Sequence, residues 1–192
     1  EVNDSSINSS DHILRELIVE VNNQVEFNAY ANYFLVSQAY EDQYAPDLTS
    51  LNGGGFLAVW KTHENRGYDI HASLYDGNAT TLEGKENFFI NVSQYHDDPK
   101  VVSLANGNFV VTWEKYLYGI GTRIYASIYD INGQPLLDKQ NFKVSGAAYG
   151  EHDSDHDIAN LEGGDFVVTW EHYENGNQDG VYGRVYDEHG DY

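Results

Sequence analysis

Apolar residues along this chain come in runs of only a few positions, separated by polar stretches rich in Gly, Asn and Asp. Val101-Val-Ser-Leu104 leads through Asn106-Gly107 into Phe109-Val-Val-Thr-Trp113. An Asn-Gly pair between two apolar runs is a strong short-range signal for a β-hairpin. Further on, Ile124, Ala126 and Ile128 alternate with more polar neighbours, so they share one face of a strand. Asp130-Ile-Asn-Gly133 then marks a turn, and Phe142-Lys-Val-Ser145 reads as another short strand. No stretch of this region carries the 3.6-residue period of an amphipathic helix, and the pattern predicts an all-β fold.

The same pattern occurs three times. Leu51-Asn-Gly-Gly-Gly-Phe-Leu-Ala-Val-Trp60 returns as Leu104-Ala-Asn-Gly-Asn-Phe-Val-Val-Thr-Trp113 and as Leu161-Glu-Gly-Gly-Asp-Phe-Val-Val-Thr-Trp170. After each Trp comes a second shared element: Ile70 to Asp76, Ile124 to Asp130 and Val181 to Asp187. A third, Phe89 to Ser93, is echoed by Phe142 to Ser145. Successive Trp residues stand 53 and 57 positions apart, a period suited to repeated supersecondary units that bury their faces against one another. The expected architecture is three tandem four-stranded antiparallel repeats, propeller-blade-like or prism-like, over about 46–98, 99–155 and 156–192.

The third repeat lacks a copy of the fourth strand. Tyr33-Phe-Leu-Val-Ser37 resembles Phe142-Lys-Val-Ser145 and is expected to supply it, so the repeat domain is placed at 33–192 and an extended arm at 1–32. Within that arm Leu17, Val19 and Val21 share a face, and Val25 and Phe27 continue the alternation. An arm of this kind can pack in its own sheet or be donated to a neighbouring copy by strand addition, a head-to-tail contact that builds filaments.

The motif L-x-x-G-x-F-V-V-x-W, followed by a Tyr-Asp-x-x-Gly turn, resembles a tandem β-repeat of large secreted surface proteins of bacteria and ciliated protists. The resemblance spans roughly residues 33 to 192. It implies a blade-like four-stranded unit in an extracellular structural or adhesive setting, and a location outside the cell or on its surface.

Charge narrows the partners. Ten Lys and Arg stand against 31 Asp and Glu, a formal net charge of −21, which disfavours nucleic acid and anionic membranes and favours cations. No apolar run approaches the length of a membrane span, so membrane insertion is not expected. The absence of Cys excludes disulfides and thiol chemistry. With no Met present, Glu1 is not expected to be the residue at which translation began. Sequons begin at Asn3, Asn8, Asn78 and Asn91; Asn78, in a turn, is the best-placed glycan acceptor and Asn91, inside a strand, the worst.

Candidate chemistry concentrates in acidic clusters read as linkers before the first strand of each repeat: Glu41, Asp42 and Asp47; Asp97 and Asp98; Glu151, Asp153, Asp155 and Asp157. Clustered loop carboxylates suit Ca²⁺, and in the last cluster His152 and His156 add imidazoles that suit a transition metal. Trp60, Trp113 and Trp170, at one register, are assigned to packing between repeats. No H-E-x-x-H, G-x-S-x-G or phosphate-loop motif occurs, and no enzyme is expected. The sequence reading is therefore a non-enzymatic secreted subunit that assembles with copies of itself into a fibre or surface array through its N-terminal strand. Its alternative is a monomeric carbohydrate-binding or adhesive module that engages glycans through Tyr116, Tyr118 and Tyr173.

Overall fold

A computed structural model describes residues 34–37, 41–64, 67–91, 95–146 and 148–192. The chain divides into two units, Glu1–Gln38 and Ala39–Tyr192. Of the first, only Phe34–Ser37 is described, and these four residues belong to no strand. The expected assembly residues Leu17, Val19, Val21, Val25 and Phe27, the sequon residues Asn3 and Asn8, and Tyr33 lie outside the described residues.

The second unit is all β, with antiparallel pairing throughout and, among the described residues, no helix that could cross a membrane. Its first sheet is β1 (Gln43–Ser50), β2 (Phe56–Glu64), β3 (Gly67–Tyr75) and β4 (Phe88–Asn91). The second repeats that order with β5 (His96–Ser103), β6 (Phe109–Leu117), β7 (Gly121–Tyr129) and β8 (Phe142–Lys143). The third has β9 (His152–Asn160), β10 (Phe166–Glu174) and β11 (Asn177–Tyr186), three strands among the described residues. Each sheet is one propeller-like blade, and each repeated motif builds the same part of its blade.

Three devices recur. At the base of each central hairpin a Phe pairs with a Tyr across the strands and their rings stack: Phe56 on Tyr75, Phe109 on Tyr129, Phe166 on Tyr186. After each Tyr an Asp closes the turn with one carboxylate oxygen, which accepts two backbone N–H bonds. At the leading hairpin turn Gly55 has φ +88°, and a Cβ there would fall 2.1 Å from the carbonyl oxygen of Tyr75, which excludes any other residue.

Two cores lie at the seams. Leu57, Val59, Ile70, Leu74, Val101, Phe109, Val111 and Trp113 fill the space between blades 1 and 2. Between blades 2 and 3 stand Val102, Val110, Ile124, Ile128, Val144, Phe166, Val168 and Trp170. Trp60, Trp113 and Trp170 are all buried, with exposures of 3%, 0% and 7%.

The acidic clusters correct one expectation. Asp97 and Asp98 lie inside β5, and Asp153, Asp155 and Asp157 inside β9, so these carboxylates stand on paired strands instead of linkers. A bulge explains why alternation hid them. Ala45, Asp98 and Asp155 occupy the same repeat position with φ of +48°, +44° and +49°, and the ladder shifts register beside each. One residue in the left-handed region breaks the period-two pattern and re-aims its side chain.

Candidate functional site

The end of the blades where β1, β5 and β9 begin and β2, β6 and β10 finish gathers carboxylates and aromatic rings. Registers place Asp97 directly opposite Glu114 in blade 2. Two like charges so placed repel unless a cation or proton intervenes. The Asp98 carboxylate, Glu114 carboxylate and His156 imidazole each bring one donor atom to within 4.8 Å of the others. Asp98 comes from the bulge of β5, Glu114 from β6 one position after Trp113, and His156 from β9 of the neighbouring blade.

Hydrogen bonds hold this cluster across the seam. Glu114 Oε1 accepts from the Asp155 backbone N–H at 2.7 Å. His156, 2% exposed, has Nε2 at 2.9 Å from Thr112 Oγ1, while its Nδ1 is buried without a hydrogen-bond partner. Lys100 Nζ donates to Asp98 Oδ1 at 3.0 Å. Burial pushes the Glu114 carboxyl up to about 7; the Asp155 N–H opposes the rise, and the charges of Asp98, Asp97 and Asp155 add to it. Burial likewise drives the His156 imidazole down to about 4, against the pull of Asp98.

The other expected metal-binding residues are not part of this trio. Asp97 pairs with Lys61 across the first seam. Asp153 is fully buried and accepts from His172 Nδ1 at 2.7 Å, with Glu151 3.8 Å from the other imidazole nitrogen. That arrangement lifts the His172 imidazole above its ordinary value, chiefly through the bond to Asp153. Asp155 and Asp157 are exposed, as are Glu41 and Asp42, and Asp42 accepts from the Tyr44 hydroxyl. Glu114 was not among the expected ligands. Its signal lay in the repeat alignment, where the position after each Trp reads Lys61, Glu114 and Glu171.

Aromatic rings flank the acids in every blade. Tyr44 meets Tyr68 edge-on at 6.0 Å, Tyr95 meets Tyr116 at 6.2 Å, and His172 meets Tyr182 at 5.1 Å. Tyr95 and Tyr116 are about half exposed and Tyr118 almost fully so, whereas Tyr173 is half-buried and bonded to Glu171. Asn78, exposed in the first blade's turn, donates its backbone N–H to Asp76. The Asn91 side chain is bonded to Asn141 of the next blade, so a glycan there would have to break a contact between blades.

No family model matches this sequence, and no curated protein matches it. Among solved structures, an endo-arabinase from Bacteroides thetaiotaomicron superposes with a TM-score of 0.53 at 18% identity, over 81% of this chain and 62% of that one. A glycosyl hydrolase from Bacteroides ovatus gives 0.49 at 10% identity, over 85% of this chain and 51% of that one. The chain thus spans less than two thirds of either. The likeness to the endo-arabinase shows the fold, and it overturns the reading of a non-enzymatic fibre subunit with its donor strand, filament and self-assembly. A blade architecture shared with a glycan-processing protein gives no ground for a fibre role. Nor does a lack of linear motifs exclude catalysis, because the fold brings acids from separate strands to one place.

Proposed function

We propose that this chain is a blade-bearing segment of a carbohydrate-active enzyme and engages a glycan at the acidic, aromatic end of its sheets. One observation carries the reading: the exposed Tyr95–Tyr116 pair stands in the same blade end as Asp97, Asp98 and Glu114. A tyrosine ring offers an apolar face to the C–H side of a sugar, and carboxylates accept from its hydroxyls. Cleavage of a glycosidic bond needs paired carboxylates, one to give a proton and one to act as base or nucleophile. This end is rich in them, with Asp155 and Glu171 beside the three already named. The fold shared with the endo-arabinase supports the same reading and makes arabinan the first polysaccharide to try.

The experiment is a panel of soluble polysaccharides, arabinan and mannans included, assayed for binding by affinity electrophoresis and for released reducing ends. The reading expects at least one glycan to be retained or cleaved, with the effect reduced tenfold or more in Tyr116→Ala. A protein that melts cooperatively yet neither binds nor cleaves any member of the panel would overturn it.

A further inference from the structure

The repeat supplies its own comparison. Lys61, Glu114 and Glu171 are equivalent, each following its Trp and facing the bulged first strand of its own blade. At the first seam this position holds a cation, since the Lys61 ammonium pairs with Asp97 of the next blade. At the second seam the cation is replaced by a carboxylate. Glu114 there meets Asp98 and His156, with Asp97 opposite it in the ladder and Asp155 and Asp157 on the neighbouring strand. Among the described residues Lys100 bonds one oxygen of Asp98 and Lys61 pairs with Asp97, two cations against five carboxylates, so the group is short of positive charge.

We propose that the second seam is a binding site for a divalent transition cation, held by Asp98, Glu114 and His156, which supplies there the positive charge that Lys61 supplies at the first.

The state of His156 is an independent argument. The residue is 2% exposed, one ring nitrogen is fixed by the Thr112 hydroxyl, and the other is buried with no hydrogen-bond partner. A buried polar atom left unsatisfied is costly, and native structures rarely tolerate it without a ligand. With Nε2–H donating to Thr112, Nδ1 presents a lone pair, the arrangement of a ligating histidine oriented by its outer-shell partner.

Donor chemistry chooses the metal. One imidazole with two carboxylates suits Zn²⁺ and its neighbours, whereas Ca²⁺ prefers six to eight oxygens. The site shares its end of the blades with the proposed glycan surface, but the inference does not rest on that reading. It stands whether or not a sugar binds.

The test is calorimetric titration of the full chain, stripped of metal with EDTA, with ZnCl₂ and separately with CaCl₂ at matched ionic strength. One saturable Zn²⁺ site is expected, with Ca²⁺ binding at least tenfold weaker. Glu114→Lys copies the first blade's residue into the second, and His156→Gln removes the imidazole. Each is expected to weaken Zn²⁺ binding tenfold or more, and Glu114→Lys to retain a cooperative thermal transition. Where either fails to fold, Asp98→Asn gives the same readout. The absence of a saturable Zn²⁺ site, or Zn²⁺ affinity unchanged in the folded variants, overturns the proposal.

Discussion

Phe109 lies flat against Tyr129 across the central hairpin of blade 2, with ring centroids 5.2 Å apart and planes 8° from parallel. Both rings are buried, and the Tyr129 hydroxyl reaches into the neighbouring blade to donate to the Ile90 carbonyl at 2.8 Å. The pair therefore links hairpin packing to blade docking. Phe109→Ala is expected to destabilise the domain by about 3–5 kcal/mol, the range for an aromatic side chain removed from a core. Tyr129→Phe keeps the stack but strips the bond to Ile90, for a loss of about 1–2 kcal/mol. Urea unfolding of both variants checks this, and equal losses would refute the division of labour between ring and hydroxyl.

The Asp of each Tyr-Asp-x-x-Gly turn is expected to matter for stability and not for ligand binding. Asp130 Oδ1 accepts from the Asn132 and Gln134 backbone N–H groups at 2.9 and 2.8 Å. Asp130→Ala leaves both donors to water and is expected to lower stability by about 1–2 kcal/mol, since charge-assisted turn bonds exceed neutral ones. Asp130→Asn, which keeps an acceptor oxygen, is expected to lose less than half as much. Midpoints of chemical denaturation for the two variants give the comparison.

The Tyr-Asp-x-x-Gly turns are legible in the sequence because each is local, whereas the stacking of Phe on Tyr depends on cross-strand register. Phe, Tyr and Asp recur at fixed offsets, and the repeats at 53 and 57 residues predict three four-stranded units. The acidic end was not legible in the same way. Bulges at Asp98 and Asp155 broke the alternation and made strand residues read as linkers. The cluster of Asp98, Glu114 and His156 draws on three strands and two repeats, so no sequence spacing announces it. His156 was noticed for its imidazole, but its partners depend on how blade 3 docks on blade 2. The fibre expectation rests on an arm that lies outside the described residues and on the absence of linear catalytic motifs, which a fold that gathers acids from separate strands does not need.

Acid sensitivity follows from His96. It is fully buried beside Trp113, 5.9 Å between ring centroids, and burial aided by the nearby Lys115 charge brings its imidazole down to about 4. In the unfolded chain the same group titrates near 6.5. The folded pKa is depressed, so the stabilising difference is present in full above about 6.5 and is lost as pH falls through about 4. Between those values the unfolded state binds one more proton at this site, and stability should fall by about 1.4 kcal/mol per pH unit. His156 titrates in the same sense. His96→Gln is expected to remove one proton's worth of the slope, and His96→Gln unfolding curves as steep in pH as wild type would refute the assignment.

Blade 3 docks on blade 2 through a guanidinium and a glycine on one strand. Arg123, 1% exposed, donates from Nη1 to the carbonyls of Thr122 and Glu151, both at 2.7 Å, and from Nη2 to Ala148 at 2.5 Å. Two residues earlier Gly121 has φ +115°, and a Cβ there would sit 2.2 Å from the same Glu151 carbonyl oxygen. The close approach that Gly121 permits is what brings that carbonyl within reach of Arg123. Arg123→Met fills much of the volume but leaves part-buried carbonyls without these donors, and a loss of about 3 kcal/mol is expected. Arg123→Lys keeps the charge without the planar fork and is expected to recover only part of it. Gly121→Ala both strains the backbone and pushes the Glu151 carbonyl away, so it should cost at least as much alone. Because the two residues act on one carbonyl, the double variant Gly121→Ala, Arg123→Met is expected to lose clearly less than the sum of its parts. Additive losses in a double-mutant cycle would show that the two residues hold the seam separately.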